Sequence, residues 1–225
     1  MLPIKEQSDY EALIAGAELI EKDGHGIKVL RLPDGRMLKF FRRKRLFSSQ
    51  LWNGYALRFK QNADQLRQRG IATIEVESVF QIPHLDRQAV LYPAIPGTTL
   101  RQWLIEHPGK PAQEQIRAFG RFVATLHQKG VLFRSLHLGN VLVTNDDALA
   151  LIDISDMSFR RTGPLSTWQR VRNLPHIGRY TDDRHLMLQP DATAFIDAYL
   201  DAAELSTGGE KRFRENFTRL FAAPE

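Results

Sequence analysis

Apolar positions follow two regimes along the chain, and the change falls at Pro93 to Gly97. Before it, short β-rich runs dominate. Ile27–Leu32, Arg36–Phe41, Ile74–Phe80 and Gln88–Tyr92 read as strands. The glycine-bearing stretch Glu21–Gly26 turns the chain into the first, and Pro33-Asp34-Gly35 is a strong hairpin signal before the second. Leu13, Ala17 and Ile20 predict a short amphipathic helix over Asp9–Ile20, and a longer helix runs from about Ser49 to Arg69, capped by Gly70. After the change the pattern is mostly helical. Leu100–Glu106 is a short helix. Ala112–Lys129 carries Ile116, Phe119, Phe122, Val123 and Leu126 on one face and stops at Gly130. Two short strands, Val141–Thr144 and Leu149–Asp153, flank Asn145-Asp146-Asp147, and an Arg-rich loop leads to helices near Asp191–Leu205 and Glu210–Phe221. The fold expected is α+β: an antiparallel sheet with one long helix over residues 1–92, a link at 93–97, and a mainly helical part over 98–225.

Composition narrows the chemistry. With no cysteine in 225 residues, disulfides, thiolate nucleophiles and Cys-based metal sites are excluded. The acids among the first residues do not match a signal peptide, and no run of apolar residues is long enough to span a bilayer, so the chain reads as cytoplasmic and soluble. The net charge of +5 is unevenly spread. Arg36–Arg69 holds ten basic residues and one acid, Asp64, while Ser158–Thr181 holds five arginines and no acid. Such stretches attract phosphate, whether on nucleic acid, lipid headgroups or a phosphorylated sugar.

The chemistry-bearing stretch is Gly130-Val-Leu-Phe-Arg-Ser-Leu-His-Leu-Gly-Asn140, followed by Leu151-Ile-Asp-Ile-Ser-Asp156. An amide oxygen from Asn140 and a carboxylate from Asp153, at the mouths of paired strands, are hard ligands suited to Mg²⁺. Here the chain resembles the protein-kinase-like superfamily, whose catalytic loop reads H-R-D-x-x-x-x-N and whose metal strand ends in D-F-G. Arg134 and Asn140 keep that spacing, and the Leu-His-x-Gly-Asn ending is similar to lipopolysaccharide (Kdo/heptose) kinases of Gram-negative bacteria. The resemblance implies a two-lobed fold with ATP and Mg²⁺ as cofactors. It also implies Lys39 as the phosphate-anchoring lysine, Gly24 and Gly26 as the glycine loop, Tyr92 at an adenine-holding hinge, and Asn140 and Asp153 as metal ligands. The acceptor implied is an anionic glycolipid or phosphorylated sugar, with peripheral contact at the inner membrane.

Two departures stand out. Ser135 occupies the position of the catalytic Asp, and an unassisted hydroxyl is a poor base at neutral pH. No acid lies between Lys39 and Gln61, and Asp64 is the only one on the following helix. Around the loop, Arg134, His137 and Asp156 are further catalytic candidates; His137 is a surrogate base or a hydrogen-bonding fixture of the loop. Trp168, Arg170, Arg172 and Arg179 lie where an acceptor site is expected, since arginine suits bidentate phosphate recognition. Three functions compete: a weakly active phosphotransferase, a nucleotide-binding pseudokinase that scaffolds envelope assembly, and, ranked last, a nucleic-acid binder using Arg42–Arg45 with Phe40, Phe41 and Phe47.

Overall fold

The computed structural model describes residues 2–4, 6–42, 54–189 and 191–221. The chain divides into two compact units, Met1–Ile95 and Pro96–Glu225.

The first unit runs β1 (Leu2–Pro3), α1 (Gln7–Ile14), β2 (Glu18–Asp23), β3 (Gly26–Arg31), β4 (Arg36–Arg42), α2 (Tyr55–Gln68), β5 (Ser78–Ile82) and β6 (Arg87–Pro93). The strands form one sheet in the order β1-β5-β6-β4-β3-β2, antiparallel except for β1 beside β5. Strand β4 is apolar on both faces because both are covered. Leu38 and Phe40 enter a cluster with Leu30, Leu32, Ile82 and Leu91, which α1 closes with Tyr10, Leu13 and Ile14. On the alternate positions, the Phe41 ring lies 5.3 Å from Phe59 of α2, and the same Phe59 ring lies 6.2 Å from Tyr92.

Two sequence expectations are corrected here. The helix expected over Asp9–Ile20 stops at Ile14, Gly16 follows at φ +70°, and Glu18–Asp23 becomes the edge strand paired with β3. Helix α1 buries none of its residues completely, so ladder hydrogen bonds outweigh a weak helical preference in the residues that follow it. The strand expected from Ile74 begins only at Ser78; Ile74 and Val76 are buried, yet they precede the β5–β6 ladder. Ser49–Asn53, Arg43–Arg45 and Phe47 lie outside the described residues, and the described helix begins at Tyr55.

The second unit runs β7 (Gly97–Thr99), α3 (Leu100–Glu106), α4 (Lys110–Gln128), β8 (Val131–Phe133), β9 (Val141–Thr144), β10 (Leu149–Leu151), β11 (Met157–Phe159), α5 (Thr167–Ile177), α6 (Thr181–Leu188), α7 (Ala194–Ala202) and α8 (Thr207–Phe221). Its core is an aromatic ladder. Phe119 of α4 meets Phe195 of α7 at 5.5 Å, Tyr199 stacks on Phe213 at 4.1 Å, and Phe195 stacks on Phe217 at 5.4 Å. Helices α4 and α7 approach so closely that a Cβ on Gly120 would lie 2.5 Å from the Phe195 carbonyl oxygen. The Arg-rich stretch expected to be a loop holds α5 and the start of α6. Ser166 and Gln169 form a reciprocal capping box at the start of α5, and Pro175 sits inside that helix. Among the described residues no helix is long and apolar enough to cross a membrane.

Gly120→Ala is expected to destabilise the chain by about 1–3 kcal/mol, the usual cost of overpacking, measurable by chemical denaturation. Helix propensity alone favours alanine, so a stabilised variant would contradict the close-approach account.

Candidate functional site

The site in the second unit starts from two short antiparallel pairs, β8 with β11 and β9 with β10. The connecting segments, 134–140 and 152–156, are tied together at both ends. The Arg134 N–H donates to the Asp156 carbonyl at 3.0 Å, and the Ile152 N–H donates to the Asn140 carbonyl at 3.0 Å. Ser135, His137, Asn140, Asp153 and Asp156 therefore share one backbone frame.

Side chains complete it. The Asn140 amide donates through Nδ2 to the Ser135 carbonyl at 2.8 Å, which leaves Oδ1 as the candidate ligand atom. Asp153 adopts φ +49°, a left-handed conformation that Asp tolerates better than most residues. Arg134 donates from Nε and Nη2 to Oδ1 of Asp156 at 2.8 and 2.6 Å. Asp156 thus holds the loop through Arg134, and its Oδ2 takes no part in that pair. His137 caps the turn at Leu138–Asn140, its Nδ1 accepting the Gly139 N–H at 3.1 Å, and its ring meets Tyr180 edge-on at 5.0 Å. Burial lowers the His137 pKa below its ordinary value, which favours the neutral ring. A hydrogen-bonding fixture is the role this geometry describes.

Two buried groups that the sequence reading missed hold the frame in place. Asp183 of α6 is fully buried. Its Oδ1 accepts from Arg101 Nε at 2.5 Å, and its Oδ2 accepts from Arg101 Nη2 at 3.0 Å and from the Leu138 N–H at 3.1 Å. Gly139 fits because a Cβ there would lie 3.0 Å from Arg101 Nη1 and 3.2 Å from the His137 ring. The second device is a relay of neutral groups. Asn173 of α5 donates from Nδ2 to the Phe133 carbonyl at 2.9 Å, so its Oδ1 accepts from His127 Nε2–H at 3.2 Å. His127 Nδ1 in turn accepts the Tyr199 O–H at 2.8 Å. Burial pushes the His127 pKa down to about 3 and that of Tyr199 up to about 12. Helical spacing carried a signal for Asp183, which shares a face with buried Met187.

The first unit holds the remaining nucleotide candidates. Lys39 sits in the row Val29–Lys39–Val90, 9% exposed, with Nζ 5.6 Å from the Phe59 ring centroid. Tyr92 is paired with Met37 across β4 and β6. Gly24 is in the two-residue turn Gly24-His25, and Gly26 opens β3 at φ +112°. The turn is pinned where Arg87 donates to the His25 carbonyl at 2.6 Å and Arg42 meets Asp23 at 3.2 Å. Asp64 pairs with Lys60 at 2.7 Å.

The acceptor candidates separate. Arg170 is 2% exposed and donates to the carbonyls of Leu165 and Ala203 at 2.9 Å each, so its assignment to an acceptor surface is corrected: it ties α5 to the end of α7. Arg172 and Arg179 are exposed. Phe40 and Phe41 are buried, 7% and 9% exposed, which removes them as base-stacking platforms.

Among the described residues no cluster of three or more His, Asp or Glu forms a metal cage. Asn140 Oδ1 and the Asp153 carboxylate nevertheless fit Mg²⁺, which binds through one or two side-chain oxygens and takes its other ligands from substrate phosphates and water.

A sheet-based first unit and a helical second unit, with an Arg-x₅-Asn loop and a following Asp on one frame, define a kinase-like α+β protein. The family model of the lipopolysaccharide kinase (Kdo/WaaP) family matches residues 21–199, and the chain belongs to that family. A comparison with curated proteins returned no match.

Asp183→Ala is expected to cost about 2–3 kcal/mol, below the ~3–5 kcal/mol of a fully buried pair because the Arg101 side chain keeps 36% of its surface. It should also speed amide exchange at Leu138; unchanged protection there would refute the anchor. His127 makes an acid-linked prediction. Its folded pKa of about 3 lies below the unfolded 6.5, so the unfolded chain binds the extra proton. Stability should fall as pH drops from near 6.5 toward 3, by up to about 1.4 kcal/mol per unit from this group. His127→Gln should flatten that slope in denaturation midpoints measured against pH; an unchanged slope would assign it to other groups.

Proposed function

We propose that the chain is an ATP-dependent phosphotransferase acting on an anionic sugar of lipopolysaccharide core, and that it turns over slowly. The observation that carries this reading is the shared frame of Ser135, Asn140 and Asp153, tied at both ends and anchored by Asp183. Asn140 and Asp153 would hold Mg²⁺, which would supply charge neutralisation at the nucleotide phosphates. Within the first unit, Lys39, Gly24, Gly26 and Tyr92 are the residues that the family resemblance assigns to the nucleotide. Arg172 and Arg179 receive the acceptor's anionic groups.

The rate follows from Ser135. A positioned general base contributes typically 10²–10⁴ in rate, or roughly 3–5 kcal/mol of barrier. Phosphoryl transfer rests mainly on positioning and charge neutralisation, so a serine slows the reaction without forbidding it. His137 does not replace the base through Nδ1, because that atom already accepts the Gly139 N–H. A second reading, a nucleotide-binding pseudokinase, is favoured by that same hydroxyl at the base position.

Transfer of labelled γ-phosphate from ATP to extracted lipopolysaccharide core tests the assignment. Measurable Mg²⁺-dependent transfer that disappears in Asp153→Ala is the result expected. Mg²⁺-ATP binding that is equally tight in parent and Asp153→Ala would refute the metal assignment. Nucleotide binding without any transfer would select the pseudokinase.

A further inference from the structure

The glycine turn between β2 and β3 is tied to the face of the sheet opposite Lys39. Side chains alternate along a strand, so Lys39 and Phe41 of β4 share the face covered by α2, where Phe41 meets Phe59 at 5.3 Å. Phe40 and Arg42 share the other face, where Phe40 meets Tyr10 of α1 at 6.3 Å. Arg87 is the direct cross-strand partner of Arg42, and its charge is felt by Tyr10 on that same face. Two cations directly opposite one another on a sheet repel, and each finds its acceptor in the turn. Arg42 Nη2 meets the Asp23 carboxylate at 3.2 Å, and Arg87 Nη2 donates to the His25 carbonyl at 2.6 Å. Asp23 Oδ1 also accepts the His25 N–H at 2.8 Å, so one carboxylate both shapes the turn and ties it down. Gly24 lies within this turn, yet nothing here requires a glycine. Its φ is not positive, and a Cβ would have no neighbour within 4 Å.

We infer that Arg42 and Arg87 are positioning residues that latch the glycine turn on the α1 face, and that a nucleoside triphosphate must release them to bind. The inference rests on the nucleotide reading of Lys39 and deepens it. A turn whose backbone approaches phosphates on the Lys39 face has to swing across the sheet, and the bonds on the opposite face then break. The latch is built to open. The Arg42 and Asp23 side chains keep 40% and 38% of their surface, and exposed ion pairs are weak and screened by salt. The backbone freedom of Gly24, unused in the latched turn, is what a second arrangement draws on.

Calorimetric titration of the full chain with Mg²⁺-ATP and with adenosine tests this, because adenosine carries no phosphates for the turn to meet. On charge alone, losing an arginine weakens attraction for a polyanion; the latch predicts the opposite sign. Arg42→Gln and Arg87→Gln should each tighten ATP binding about two- to fivefold, the contribution of an exposed pair, and leave adenosine affinity unchanged. Arg42→Lys, which keeps the ion pair, should bind ATP as the parent does. Without nucleotide, amide exchange at His25 should quicken in both glutamine variants. Thermal melting, with midpoints close to that of the parent, shows that the fold is kept. Unchanged or weakened ATP binding in the folded glutamine variants, an equal gain for adenosine, or unchanged exchange at His25 would each overturn the latch and leave the nucleotide reading standing. Absence of ATP binding by the parent and by both glutamine variants would sink the nucleotide reading itself, and the latch with it.

Discussion

A carboxylate removed from water needs compensation for its charge, and the buried Asp183 obtains it from two directions. Both oxygens take the fork of Arg101, and one also takes the backbone amide of Leu138. The second bond fixes the loop: wherever α6 carries Asp183, the turn at residues 138–140 has to follow. Much else depends on this arrangement. Gly139 is small because Arg101 passes beside it. His137 spends Nδ1 on the same turn. Asn140 is left with Nδ2 on the Ser135 carbonyl and Oδ1 as a potential ligand. Arg101, with one-third of its surface in solvent, also stacks over Tyr180 and so links the anchor to the basic surface.

The entrance to the loop is held by different physics. Phe133 precedes Arg134, and its carbonyl is satisfied by Asn173, the last member of a chain of neutral groups from Tyr199 through His127. Every donor in that chain meets an acceptor, so the relay crosses four elements without burying a charge. The loop is therefore framed by an ionic anchor at residue 138 and a neutral one at residue 133. Between them lie the Arg134–Asp156 pair and the two backbone bonds that join segments 134–140 and 152–156.

Elements whose local chemistry agreed with their surroundings were legible in the sequence. The boundaries of α3, the hairpin at Pro33–Gly35 and the two strands around residues 145–147 followed from turn residues and apolar periodicity. Ser135, Asn140 and Asp153 were singled out by spacing and by the family resemblance, and the structure joins their segments by backbone bonds between stretches close in sequence. Helix α5 within the Arg-rich stretch, and α6 that begins at its end, went unseen. The Ser166–Gln169 capping box announces α5, but Pro175 and the exposed charges broke up its apolar stripe. Asp183 and Arg170 defeated the reading for one reason: a charged residue reads as solvated, and only a tertiary partner (Arg101, or the carbonyls of Leu165 and Ala203) reveals that it is buried. Leu19 and Ile20 failed differently, since sheet pairing with β3 overrode a helical spacing that had little to bury.

The frame thus brings Ser135, Asn140 and Asp153 onto one anchored backbone scaffold, with a hydroxyl at the position where the proposed reading needs a base. Ser135→Asp is the most direct test, because it restores one carboxylate and leaves Asp183, Asn140 and the backbone bonds in place. Phosphate transfer, or ATP hydrolysis in the absence of acceptor, should rise by about 10²–10⁴, the contribution of a positioned general base. An unchanged rate in a folded variant that still binds Mg²⁺-ATP would contradict the claim that Ser135 is what limits this site.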